Sequence, residues 1–171
     1  MYDLSVFDEN NVNITWSDVY YGVENNLLEL VCVSEYAIRC IEKADDDCQE
    51  IMDLAWQNEN KLDLLENMAK IIKKENKPDD YQSIIKWQYC IVKKLRNSQL
   101  EFEDLSDCLD EVYADFDYPE DMEEFVSYMP IKDDYNPSTH TREENIERRL
   151  RKVDEFLERE VNEMVSFEQS K

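Results

Sequence analysis

One glycine and four prolines in 171 residues leave little material for tight hairpin turns, which rely on glycine for positive backbone φ. A strand-rich fold is disfavoured on that ground, and helical periodicity recurs instead. Thr15 followed by Asp18 predicts an N-cap opening a short helix through Tyr20 and Tyr21 toward Gly22. Leu30, Val33, Ala37, Ile41 and Ala44, three or four apart, predict a second helix from about Leu28. Asp45, Asp46 and Asp47 suit the positive end of a third, whose Ile51, Leu54 and Ala55 face inward before a break at Asn58 and Asn60.

Leu62, Leu65, Met68, Ala69 and Ile72 continue the pattern on a helix ending at Lys73 and Lys74. Pro78, beside Asp79 and Asp80, fits the first turn of the next helix, which buries Tyr81, Ile84, Ile85, Gln88, Ile91, Val92 and Leu95. Phe102, Leu105, Leu109, Val112 and Tyr113 begin another, stopped near Asp117 because Pro119 disfavours helical geometry at Tyr118. Pro119 itself can open a short helix from Glu120 to Val126, closed off by Pro130. Residues 131–140 read as a loop. Thr141 and Glu144 form a capping-box pattern, followed by a seam of Ile146, Leu150, Val153, Leu157, Val161 and Met164. Glu144/Arg148, Glu147/Arg151 and Glu155/Arg159 are spaced for ion pairs along that helix. The expectation is an all-α, single-domain irregular bundle of about seven helices. It has an N-terminal extension over 1–14, a 131–140 loop and a long C-terminal helix over 141–166.

Charge narrows the function more than the fold. The chain is net −23, yet its 42% hydrophobic and 11% aromatic content is too high for a disordered acidic tail. Residues 61–100 are net +4, while Glu101 to Tyr135 carry fourteen carboxylates against the single Lys132. Such self-repulsion destabilises a compact chain and steers cationic partners toward it. Direct nucleic-acid binding is not expected, since it needs a basic footprint. One glycine cannot build a GxGxxG or Walker loop, and no GxSxG occurs. The N-terminus lacks a signal-peptide pattern and no eighteen-residue apolar run exists, so a soluble, cytoplasmic protein is expected. Cys32, Cys40, Cys48, Cys90 and Cys108 include no CxxC pair and read as reduced, small hydrophobes.

No cofactor or metal is expected. His140 is the single histidine, and Asp115, Asp117, Glu120, Asp121 and Glu124 lack the glycine and spacing of an EF-hand loop. Glu120 and Glu124 share a helix face, but no Glu-x-x-His partner accompanies them. Tyr113, Phe116, Phe125 and Met129 read as a small core. Tyr118, Tyr128 and Tyr135, amphipathic and set among carboxylates, read as a binding surface. The candidate partner-binding residues are Asp115, Asp117, Tyr118, Asp121, Glu124, Tyr128, Asp133, Asp134 and Tyr135.

The stretch VYADFDYPEDMEEFVSYMP (112–130), followed by DDYNPSTHTREENIERRL, resembles the signature of an uncharacterised bacterial domain family. The N-terminal TWSDVYYGVENNLLELVCVSEYA is similar to that family's opening helix pair, with Trp16 and Gly22 in matching places. Members are associated with contact-dependent and other polymorphic toxin systems, and the resemblance implies an immunity protein for a cognate toxin. An acidic helical protein suits that role, because a basic toxin such as a nuclease offers a cationic cleft to plug. The alternatives are a carboxylate- and divalent-metal-dependent hydrolase at 115–124, or a structural subunit whose acidic face confers solubility.

Overall fold

The computed structural model describes residues 1–43, 48–56, 60–75 and 80–169. The expected Ala44, the Asp45–Asp47 cap, Asn58, Pro78 and Asp79 lie outside them. The fold is all-α. Two compact units divide at a point inside one helix, Met1–Trp87 and Gln88–Lys171.

The first unit contains α1 (Ser5–Asp8), α2 (Trp16–Glu24), α3 (Val31–Glu42), α4 (Gln49–Trp56), α5 (Lys61–Glu75) and the start of α6 (Asp80–Arg96). Residues 1–14 belong to its core rather than trailing from it: Leu4, Val6 and Phe7 are buried, and Tyr2 exchanges two backbone hydrogen bonds with the Leu27–Glu29 segment. α3 packs against α4, α4 against α5, and α5 against α2. The Thr15 cap forms as expected, with the Asp18 carboxylate accepting from the Thr15 amide at 2.8 Å. Gly22 lies inside α2 because Trp87 crosses it so closely that a β-carbon would stand 2.4 Å from the indole. Asn60 is the N-terminal cap of α5, its side chain accepting from the Leu62 amide at 3.0 Å.

The buried stripe of α5 differs from the sequence expectation. Leu64, Met68, Ile71 and Ile72 are buried while Leu62 is largely exposed, so the apolar face begins two residues later. Tyr81 is likewise exposed, and α6 is instead buried without interruption from Trp87 to Val92, Gln88 included. A helix covered on all sides shows no single apolar stripe from which to read its register.

The second unit holds the rest of α6, α7 (Phe102–Asp115), a 3-10 helix (Glu120–Phe125), a short 3-10 turn (Pro137–Thr139) and α8 (Arg142–Gln169). The Glu120–Phe125 segment winds as 3-10 and stops before Val126, earlier than Pro130 would require. It packs on α8, where Phe125 meets Phe156 edge-on at 5.4 Å. Val153, Phe156 and Leu157 are the buried part of the α8 seam, while Val161 is exposed. The Thr141–Glu144 capping box is formed. Of the cations in the three expected intrahelical pairs, Arg148 reaches Asp133 at 2.7 Å and Arg159 reaches Glu124 at 3.9 Å, while Arg151 stays on α8 and pairs with Glu155 at 3.9 Å in place of Glu147. Arg142, which the spacing did not pair, meets Glu103. Arg142, Arg148 and Arg159 thus serve acids elsewhere in the unit, which outnumber them.

One buried charge organises the first unit. Asp18 is 1% exposed and receives the Lys86 ammonium at 2.7 Å and the Ser83 hydroxyl at 2.7 Å. Its backbone carbonyl accepts from the Trp87 indole at 2.8 Å. Removing one partner of such a pair strands the other, at a cost on the order of 3 kcal/mol. Asp18→Ala should therefore lower the unfolding free energy read from urea titration by that order, and adding Lys86→Met should recover part of the loss.

Candidate functional site: an acidic tyrosine face

The nine candidate residues all fall in the second unit, where they divide into three neighbourhoods. The first is made by the end of α7. Tyr118 N–H donates to the Tyr113 carbonyl at 2.9 Å and Asp117 N–H to the Ala114 carbonyl at 3.1 Å. That pair of bonds is a Schellman cap, which places Asp117 at the left-handed position usually held by glycine. Asp117 and Tyr118 have φ of 60° and 61°. Aspartate tolerates this region better than most side chains, whereas a bulky residue there is strained. The motif brings its last residue back over the helix, and Tyr118 meets Tyr113 edge-on at 5.3 Å. Tyr128 approaches the other side of Tyr113 at 6.2 Å.

The result is a buried tyrosine flanked by two that are 58% and 60% exposed. Asp110 fixes the Tyr128 side: its carboxylate accepts from both the amide and the hydroxyl of Ser127. Partial burial raises the Tyr128 phenol above its ordinary pKa, with Asp110 and Tyr118 adding to the effect. The Tyr128 ring is thus held as a neutral phenol, able to donate a hydrogen bond. Asp115 and Asp117 stand beside them, exposed, at the C-terminal end of a helix with no basic residue in its last turn. That end carries the negative pole of the helix dipole, so these acids oppose stability and reinforce the local negative field.

The second neighbourhood is Asp121 and Glu124, on the 3-10 helix. Glu124 pairs with Lys152 at 3.4 Å as well as with Arg159, and the Asp121 carbonyl accepts from Arg159 at 2.9 Å. The third is the 131–140 loop. Asp133 holds Arg148, and the Arg148 guanidinium lies 4.4 Å from the Tyr135 ring centre. Tyr135 stacks on His140 at 4.4 Å and donates to Asn145 at 2.7 Å. His140 makes local contacts with Asn136 and Thr139. The Arg148 bond and the Tyr135 amide hold the Asp133 carboxyl below its usual range. Glu124, Asp133 and Tyr135 are therefore committed to internal bonds. Asp115, Asp117, Asp121 and Asp134 are exposed, with no side-chain ion pair among the described residues. Tyr113, read from sequence as core, is buried and also forms the platform for the face. Asp110 and Ser127 brace it across seventeen positions, with no spacing rule to reveal them.

Among the described residues, no group of three or more His, Cys, Asp or Glu side chains is arranged to hold a metal ion. No disulfide joins the five cysteines among the described residues, and burial pushes the Cys32 thiol up to about 11. No described helix is long and apolar enough to cross a membrane.

An all-α chain with an aromatic, acidic surface is the class that this geometry defines. The chain belongs to the bacterial family described as "Uncharacterized protein conserved in bacteria (DUF2247)", whose sequence profile matches residues 4–161. Comparison with curated proteins and with solved structures returns no match.

Two stability effects follow. Asp117→Gly relieves the left-handed position and should raise the unfolding free energy read from urea titration by about 1 kcal/mol, while leaving Tyr118 in place. Glu160, beside Asp121, is 4% exposed and one of its oxygens has no hydrogen-bond partner. Burial foremost, then Asp121, raises its pKa to about 7, with Arg159 opposing and Glu163 adding. The folded chain binds this proton more tightly than the unfolded chain, where glutamate titrates near ~4.3. Its contribution is fully present below about pH 4 and is lost as pH rises through about 7. Glu160→Gln should match the natural chain at low pH and exceed it at pH 8, by roughly 2–3 kcal/mol in urea titrations.

Proposed function

We propose that this chain is an immunity protein that binds and neutralises a cognate toxin with a basic surface, through the face formed by Tyr118, Tyr128, Asp115 and Asp117. The observation that carries the reading is the exposure of two tyrosines held rigidly over Tyr113 among carboxylates set at the negative pole of α7. Rigid aromatic rings lose little entropy on binding and are typical interface anchors. The surrounding acids would steer and pair with lysines and arginines. Strain retained at Asp117 and Tyr118 further supports a functional role, since it fixes a surface feature at a cost to stability. The resemblance to families of polymorphic toxin systems supplies the partner class. Asp121 and Asp134 would extend the field, while Glu124, Asp133 and Tyr135 would shape the surface from within.

Co-expression with the polypeptide encoded by the adjacent reading frame tests this. Growth should be rescued, and the purified pair should bind less tightly as salt is raised. Tyr118→Ala with Tyr128→Ala should weaken binding by about a hundredfold or more, the loss expected of two anchors. Rescue that survives alanine at Asp115, Asp117, Tyr118, Asp121 and Tyr128 together would remove the face from the account.

A further inference from the structure

A cavity of about 540 Å³ opens within the second unit, with an apolar wall that includes Phe102, Val126, Met129 and Ile146. Its size falls in the range of small-molecule sites. Four cations, Lys132, Arg142, Arg148 and Arg149, line it against two carboxylates, Glu123 and Glu124. A locally positive lining is unexpected in a chain of net charge −23.

Three of those cations are already paired, Lys132 with Glu123, Arg142 with Glu103, and Arg148 with Asp133. Arg149 is different. It is half-buried, donates to the Ser106 hydroxyl at 2.8 Å, and lies over the Phe102 ring at 5.6 Å. Among the described residues no carboxylate lies within ion-pair distance of it. Asp110 is near enough to act on Arg149 electrostatically, but both of its oxygens are bonded to Ser127. Burial accordingly lowers the Arg149 pKa, with Asp110 opposing. A desolvated guanidinium lacking an anionic partner is unfavourable, and a planar carboxylate matches its fork of donors.

We propose that this cavity binds a small organic monocarboxylate, its apolar body against Phe102, Val126, Met129 and Ile146 and its carboxylate on Arg149. The assignment is independent of the tyrosine face. It requires both halves of the ligand: an anion without an apolar body leaves the wall wet, and an apolar body without the anion leaves Arg149 unpaired.

Octanoate is a suitable probe, titrated into the full-length chain while the Arg149 Nε–H resonance is followed by NMR. A saturable shift is expected. Octylammonium and inorganic phosphate should each bind at least about tenfold more weakly. Arg149→Met should lose at least that factor, and Ile146→Glu, at a partly exposed helical position, should also abolish binding should the first variant fail to fold. Absence of a saturable shift, equal binding of octylammonium or phosphate, or unchanged affinity in either folded variant would overturn the proposal.

Discussion

The structure depends on how it distributes a limited supply of cations among an excess of carboxylates. With 42 acids against 19 bases, most acids cannot be paired, and the position of each cation becomes informative. Lys86 is spent on Asp18, the one deeply buried aspartate among the described residues, where burial gives the pair most weight. Several cations of α8 reach beyond their own helix: Arg142 to Glu103, Arg148 to Asp133, Arg159 to Glu124, and Lys152 to Glu124 as well as to Glu155 on α8. They fasten α7, the loop and the 3-10 helix, and so define the second unit. The end of α7 receives none of them. Asp115 and Asp117 stand at the pole where the backbone is already negative.

Geometry at that point follows from a shortage of glycine. A Schellman cap wants a residue with positive φ, and this sequence supplies aspartate and then tyrosine. The strain is met by the ring contact between Tyr118 and Tyr113, the apolar contact that such a cap commonly makes. One local backbone motif therefore both ends the helix and presents the aromatic face. The arrangement gives the proposed interface anchor a rigidity traceable to named hydrogen bonds.

Much of this was legible in the sequence, for stated reasons. The caps at Thr15 and Thr141 are local devices, complete within four residues, and both form as read. The all-α class and the long C-terminal helix follow from periodicity and scarce glycine. What could not be read depends on distant partners. The α5 stripe shifts, and α6 is buried on every side from Trp87 to Val92, because neighbouring elements decide which residues are covered. Arg148 and Arg159 of α8 had suitable intrahelical partners by spacing, yet tertiary acids claimed them, while Arg151 kept an intrahelical partner in Glu155. Of the candidate residues, Tyr118 and Tyr128 converge only through Tyr113, while Tyr135 and Asp133 turn inward to α8, a distinction that composition does not carry.

The central claim is that the end of α7 and the segment through Tyr128 form the docking face. Hydrogen–deuterium exchange of the chain alone, and with the polypeptide encoded by the adjacent reading frame, tests it most directly. The account predicts slowed exchange concentrated at backbone amides of residues 113–128 in the complex. A stable complex whose protection falls elsewhere, with 113–128 exchanging as in the free chain, would contradict it.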